Sequence, residues 1–198
     1  MLIGIAGKTG AGKNYVASLL EERGWRVLDL DEVAHRALDA RAGEIEAALG
    51  PGLLKDGAVD RRRLGEIVFS RRTALTALEE ITYPWIEEQT RKWLDEEPGR
   101  PAAVHAINLH KTNLPEEMTA LLWVWAPPWV RRRRVMERDG RSWKDLKGRF
   151  EAQKGLGPKL FSSRAETFNV RNSKNRAALE RRLDRVLDRL RPGNDEPG

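Results

Sequence analysis

The stretch Gly7-Lys8-Thr9-Gly10-Ala11-Gly12-Lys13-Asn14 constrains this chain more than any other. A short apolar run, Leu2-Ile3-Gly4-Ile5-Ala6, comes before it. A helical pattern with Val16, Leu19 and Leu20 on one face comes after it. Strand, glycine loop and helix form the context that a phosphate-binding loop requires, and Gly7, Gly12 and Lys13 have the G-x-x-x-x-G-K spacing. Glycines let successive backbone N–H groups turn inward around an anion without Cβ clashes. The helix that starts near Lys13 adds its positive dipole end. Lys13 is placed to reach the β- and γ-phosphates of a nucleotide. The eighth position of the motif normally carries a Ser or Thr hydroxyl for Mg²⁺, and here it is Asn14, followed by Tyr15. An amide oxygen is also a hard ligand, so Asn14 is the candidate for the metal. The alternative is a glycine-rich turn that binds nothing.

Such a loop belongs to parallel α/β sheets, and the rest of the chain follows that pattern. Trp25 to Asp31 reads as a strand ending in acid. If the strand stays regular, Asp29 and Asp31 share a face about 6–7 Å apart. Ligands of open α/β sheets bind at the carboxyl ends of strands, so Asp31 is where an acceptor hydroxyl would meet a γ-phosphate. Its structural alternative is an N-cap for a helix from Glu32 to Leu38. A weakly amphipathic helix spans 40–49, Asp56-Gly57 marks a turn, and Asp60 opens another helix. A longer helical region covers 74–94, where Pro84 predicts a kink or break. The helical block at about 53–97 reads as an insert between strand-like segments. Further strands are expected at 102–107, 121–126 and 167–170. Helices are expected from Trp129 to Asp139, from Ser142 to Gln153 and from Lys174 to Leu190. A polar tail from Pro192 reads as disordered. Strand–helix alternation with short connections gives an α/β fold of three layers around a parallel sheet.

With 198 residues the chain suits one domain of about 1–191 with small appended parts. Its 40% hydrophobic and 33% charged residues mark a soluble globular protein. There is no cysteine, which removes disulfides and thiolate metal sites. No apolar run has the roughly 18 residues of a membrane span, and the apolar start leads straight into the loop, so a cytoplasmic protein is expected. The formal charge of +6 fits nucleic acid, a polyanionic small molecule or a solvated charged surface. No zinc-finger spacing or RNP-type segment supports the first.

Several stretches together resemble the dephospho-coenzyme A kinases, over about Leu2 to Leu190. They are the loop itself, Leu28-Asp29-Leu30-Asp31, Gly57 to Leu64 with Val68-Phe69, the segment Val135 to Asp139 with Arg149 and Gln153, and Phe168 to Asn172. The resemblance implies a P-loop kinase that uses ATP and Mg²⁺ to phosphorylate the ribose 3′-hydroxyl of dephospho-CoA. It implies a helical acceptor-binding insert and a helical lid at about 131–154. By the same resemblance Asp31 is the general base, Lys13 and Arg138 act on the transferred phosphate, and Arg149 is a second lid cation. Lys8, Thr9, Gly10, Ala11, Gly12, Lys13, Asn14, Tyr15, Arg138 and Asn172 hold ATP. Asp31, Arg61, Tyr83, Leu109 and His110 lie by the acceptor. Arg61 has a competing role as a structural salt bridge, and His110 as a solvated loop residue. Any one arginine of Arg131 to Arg134 reads more simply as exposed helix charge. Three positions depart from the family: Asn14, Tyr83 in place of His, and the loop Asn108-Leu109-His110-Lys111-Thr112. The rival readings are a related kinase for another nucleoside, nucleotide or small-molecule acceptor, and a nucleotide-binding protein without catalysis.

Overall fold

The structure is a computed structural model that describes residues 1–161, 165–173 and 175–191. Lys174, expected to open the last helix, and the tail from Pro192 lie outside the described residues. In chain order the elements are β1 (Leu2–Ala6), α1 (Lys13–Glu21), β2 (Arg26–Asp29), α2 (Leu30–Ala40), α3 (Ala42–Leu49), β3 (Leu54–Lys55), β4 (Ala58–Val59), α4 (Arg61–Ser70) and α5 (Arg72–Asp95). There follow β5 (Ala102–His105), β6 (Ala120–Trp125), α6 (Pro128–Asp139), α7 (Trp143–Ala152), β7 (Glu166–Arg171) and α8 (Arg176–Arg189). The chain divides into two compact units, Met1–Leu28 with Gly99–Gly198, and Asp29–Pro98.

The first unit is built on a five-stranded sheet in the order β2-β5-β1-β6-β7. β1 pairs in parallel with β5 and β6, and β6 with β7. Alternation along β1 and β6 sends Ile3, Ile5, Leu122 and Val124 into one core, where they meet Val16, Leu19 and Leu20 of α1 and Leu179 and Leu183 of α8. These strands are apolar on both faces, as the central strands of a parallel sheet must be. On the other face Gly4 leaves room for Leu109 and Met118, since a Cβ there would press on both.

The second unit has its own core of Ile45, Leu53, Val59, Leu64 and Val68. Its hairpin β3–β4 turns at Asp56 and Gly57, both at positive φ (53° and 81°), which is the backbone that an Asp-Gly turn of this kind needs. Asp60 caps α4 by accepting from the N–H groups of Arg62 and Arg63.

Two local expectations fail here. Of the kink or break expected at Pro84, the break does not occur: α5 runs unbroken for 24 residues through the proline. The proline removes one backbone donor, but α5 lies against α2, α3 and α4 and buries Thr82, Ile86 and Thr90, and that packing outweighs the lost bond. β2 stops at Asp29 instead of Asp31. Asp29, with extended φ/ψ, is the N-cap of α2, and its carboxylate accepts from the Asp31 N–H at 2.8 Å. The two acids therefore do not share a strand face: Asp29 caps, and Asp31 stands in the first helical turn.

Candidate active site

β1 delivers the chain into the glycine loop and α1 carries it away. Gly12 is the N-cap of α1 at φ 95°, in the left-handed region, and no side chain caps the helix. A Cβ on Gly12 would run into the Asn172 amide, and one on Gly10 would sit 2.6 Å from the Arg131 carbonyl oxygen. These two glycines are thus required by close approach as well as by backbone angle. The first turn of α1 holds no acid. An uncapped helix start without a local carboxylate offers its first N–H groups to an external anion. Lys13 stands in that turn with only 7% of its surface exposed. Asn14 and Tyr15 follow it and are exposed.

Four side chains from distant parts of the unit fasten the loop. Asn172, just past β7, donates from Nδ2 to the Ala11 carbonyl at 2.9 Å, and its own N–H donates to the Trp125 carbonyl at 2.7 Å. Arg134 of α6 donates to the same Ala11 carbonyl at 3.4 Å and to Asn172 Oδ1 at 3.4 Å. Arg131, buried on α6, donates to the Thr9 carbonyl at 3.3 Å and lies over the Phe150 ring at 5.1 Å. Gln153, at the end of α7, makes a reciprocal pair with Thr9. Its Oε1 accepts from the Thr9 N–H at 2.8 Å, and its Nε2 donates to Thr9 Oγ1 at 2.8 Å. Lys8 Nζ donates to the Lys154 carbonyl at 3.1 Å.

The electrostatics point one way. Lys8, Arg131 and Arg134 hydrogen-bond to carbonyl or amide oxygens, and among the described residues none of them meets a carboxylate. Burial, and then the charge of Arg131, lowers the Lys8 pKa. Burial also lowers those of Arg131 and Arg134. Cations held against their solvation preference without a counter-charge form a site for an anion.

Of the residues expected at the nucleotide, the structure gathers the loop, Lys13 and Asn172. Arg138 pairs with Asp139 at 2.6 Å, and Arg149 joins the same carboxylate at 3.2 Å. The hydrogen bond from Arg138, and then the nearby arginines, hold the Asp139 carboxyl below its usual range. The arginines that touch the loop are Arg131 and Arg134, which the sequence left among the exposed charges. Spacing was a signal: positions 131, 134 and 138 recur at helical intervals on one face of α6.

The residues expected by the acceptor fall in both units. In the second, Arg61 pairs with Asp39 at 3.3 Å, and both side chains are about half exposed. Tyr83 is half-buried and donates to Glu79 Oε1 at 3.5 Å. Its pKa is raised by burial, then by Glu79, and to a lesser degree by Asp31, so Asp31 lies within its electrostatic reach. In the first unit Leu109 is fully buried and serves the core. His110 stands edge-on to Phe161 at 5.5 Å.

Comparison with known proteins agrees with this geometry. The family model described as dephospho-CoA kinase matches residues 1–184. The dephospho-CoA kinase of Treponema pallidum is 35% identical, covering 95% of this chain and 94% of that protein. That of Anaeromyxobacter dehalogenans is 36% identical, covering 97% and 93%. The crystal structure of TT1252 from Thermus thermophilus superposes with a TM-score of 0.82 at 32% identity, covering 96% of this chain and 98% of that one. Shikimate kinase from Acinetobacter baumannii, with a TM-score of 0.55 at 14% identity, shares the fold.

Proposed function

The chain belongs to the dephospho-CoA kinase family, and on that premise we propose how its residues move the γ-phosphoryl group of ATP to the ribose 3′-hydroxyl of dephospho-CoA. The family's reaction completes coenzyme A and makes the chain an ATP-dependent phosphotransferase. One observation carries the assignment of the donor site. The uncapped, acid-free start of α1 and the buried Lys13 belong to the same unit as Lys8, Arg131 and Arg134, three cations that bind the loop or its neighbours and, among the described residues, meet no carboxylate. Such a site is built for a polyanion.

The donor's triphosphate lies along the loop, with its oxygens on the N–H groups of the α1 start and on Lys13. Arg134 and Asn172, which already grip Ala11, fix the loop's shape. Asp31 takes the proton of the attacking 3′-hydroxyl as the oxygen–phosphorus bond forms. The bond from the γ-phosphorus to the bridging oxygen breaks, and ADP leaves with the electron pair. Phosphoryl transfer depends chiefly on positioning and charge neutralisation, so Lys13 and the α6 arginines carry more of the rate than the base does. Arg138 stands one turn beyond Arg134, and reaching the transferred phosphate requires it to leave Asp139. The helical segment about 53–97 serves the acceptor, with Arg61 and Tyr83 on it, and 131–154 acts as the lid.

Magnesium, when bound, neutralises phosphate oxygens and holds them in place. Among the described residues no group of three or more His, Cys, Asp or Glu could hold an ion. The Asn14 amide oxygen, exposed in the first turn of α1, is a hard donor suited to such an ion. A cytoplasmic setting is part of the proposal, and among the described residues no helix is long and apolar enough to cross a membrane.

A panel of acceptors with ATP and Mg²⁺ tests the reading. Turnover is expected with dephospho-CoA well above adenosine, nucleotides and shikimate. Strong turnover of another acceptor with dephospho-CoA inert rejects it.

A further inference from the structure

The arginines of α6 and α7 differ in what they hold. Arg131 and Arg134 donate to carbonyls of the glycine loop. Arg138 and Arg149 donate instead to a single carboxylate. Arg138 Nε lies 2.6 Å from Asp139 Oδ1, and Arg149 Nη1 lies 3.2 Å from Asp139 Oδ2.

Each of these paired arginines stands one helical turn from a residue that holds the loop. Arg138 follows Arg134 on α6, and Arg134 reaches the Ala11 carbonyl. Arg149 precedes Gln153 on α7, and Gln153 is bound to Thr9 through two hydrogen bonds. Residues at i and i+4 share a helix face. Both guanidiniums therefore belong to the faces that meet the loop, about 5.4 Å along each axis from the contact.

Asp139 is an acid where a helix least favours one. It ends α6, and the negative end of the helix dipole opposes a carboxylate there. Its side chain is 18% exposed, against 64% for Arg138 and 47% for Arg149. The hydrogen bond from Arg138, and then the charges of Arg138, Arg149 and Arg141, hold its carboxyl below the usual range, so it stays ionised at neutral pH. One carboxylate between two guanidiniums leaves an excess of positive charge. Ion pairs this exposed are weak. A phosphate chain, with more charge and more acceptor oxygens, competes for both arginines.

We propose that Asp139 is a positioning residue that holds Arg138 and Arg149 in reserve, one turn short of the loop, until the phosphates of a nucleotide take its place, and that it thereby sets the affinity for ATP. The inference rests on the donor site assigned above.

Calorimetry of ATP binding to Asp139→Asn tests it, beside turnover assays. Removing an acid from the C-terminal end of a helix favours the helix, so the variant keeps its fold. Glu137→Gln is the control for overall charge, because Glu137 pairs with Arg133 at 3.6 Å in the same turn of α6. Asp139→Glu keeps the carboxylate and is expected to bind as the wild type does. Asp139→Asn is expected to bind ATP about fivefold more tightly, the size of two weak ion pairs that no longer have to break. That gain shrinks as salt is raised. Weaker binding by Asp139→Asn overturns the proposal, since Asp139 then presents the arginines instead of withholding them. Unchanged affinity overturns it too, and so does an equal gain in Glu137→Gln, which makes net charge the cause. Tighter ATP binding with dephospho-CoA inert keeps this inference and rejects the acceptor proposed above. Wild-type protein that binds no ATP removes both.

Discussion

Lys13 is a lysine largely withdrawn from water in the first turn of the helix that follows the glycine loop, and in the proposed reaction it meets the transferred phosphate. Lys13→Ala is therefore expected to abolish phosphoryl transfer. Asp31→Asn is expected to lower kcat up to about a hundredfold while ATP binding, measured by calorimetry, stays close to wild type. A near-normal kcat for Asp31→Asn would take the base role from it. The place of Lys13 at the start of α1 was legible because the spacing of the glycines before it fixes where the helix begins. Asp29 and Asp31 were harder: two residues apart in a presumed strand they looked equivalent. The structure separates them because Asp29 is spent on the Asp31 N–H. Arg131 and Arg134 were legible only as charge. Four consecutive arginines point in four directions around a helix, and the two that reach the loop are picked out by Thr9, Ala11 and Asn172, residues 38 to 123 positions away in sequence.

The element on which the proposed activity turns is the pair α6–α7. It is tied to the loop through Gln153, and the N–H that Gln153 occupies belongs to the loop itself. Two hydrogen bonds of ordinary strength contribute about 1–3 kcal/mol together. Gln153→Ala should accordingly speed amide exchange in α7, over Trp143–Ala152, relative to α1, and bound ATP should restore less protection than in the wild type. Unchanged exchange in α7 would show that Gln153 does not hold it. Helix starts were readable where a capping side chain announces them: Ser142 accepts from the Asp145 N–H and Asp60 from the start of α4. The break offered at Pro84 did not follow, because the rule that proline ends a helix is local, and α5 is held by neighbours along its length. The reach of Gln153 to Thr9 was not legible, as nothing in a helix end says which distant backbone group it will meet.

At the scale of the whole molecule the α/β alternation gave the sheet and left its order open. β1 lies between β5 and β6, and β2 lies beyond β5, an arrangement decided by how helices pack on the sheet faces. That order puts the loop after β1 beside the ends of β5 and β6, where the Leu109 turn and α6 begin. The arginine excess behind the net charge divides into two populations. Many arginines pair with acids on helix surfaces, such as Arg23 with Asp184 and Arg176 with Glu180. Arg131 and Arg134 reach the loop and, among the described residues, meet no acid, and to these we assign the functional charge. The central claim is that this charge directs phosphate from ATP to one hydroxyl of dephospho-CoA. The most direct measurement is the position of the new phosphate, read from phosphorus coupling in the proton NMR spectrum of the product made from ATP and dephospho-CoA. Coupling at the ribose 3′ position is the predicted result. Phosphate on another oxygen, or ATP consumed with dephospho-CoA unchanged, would contradict it.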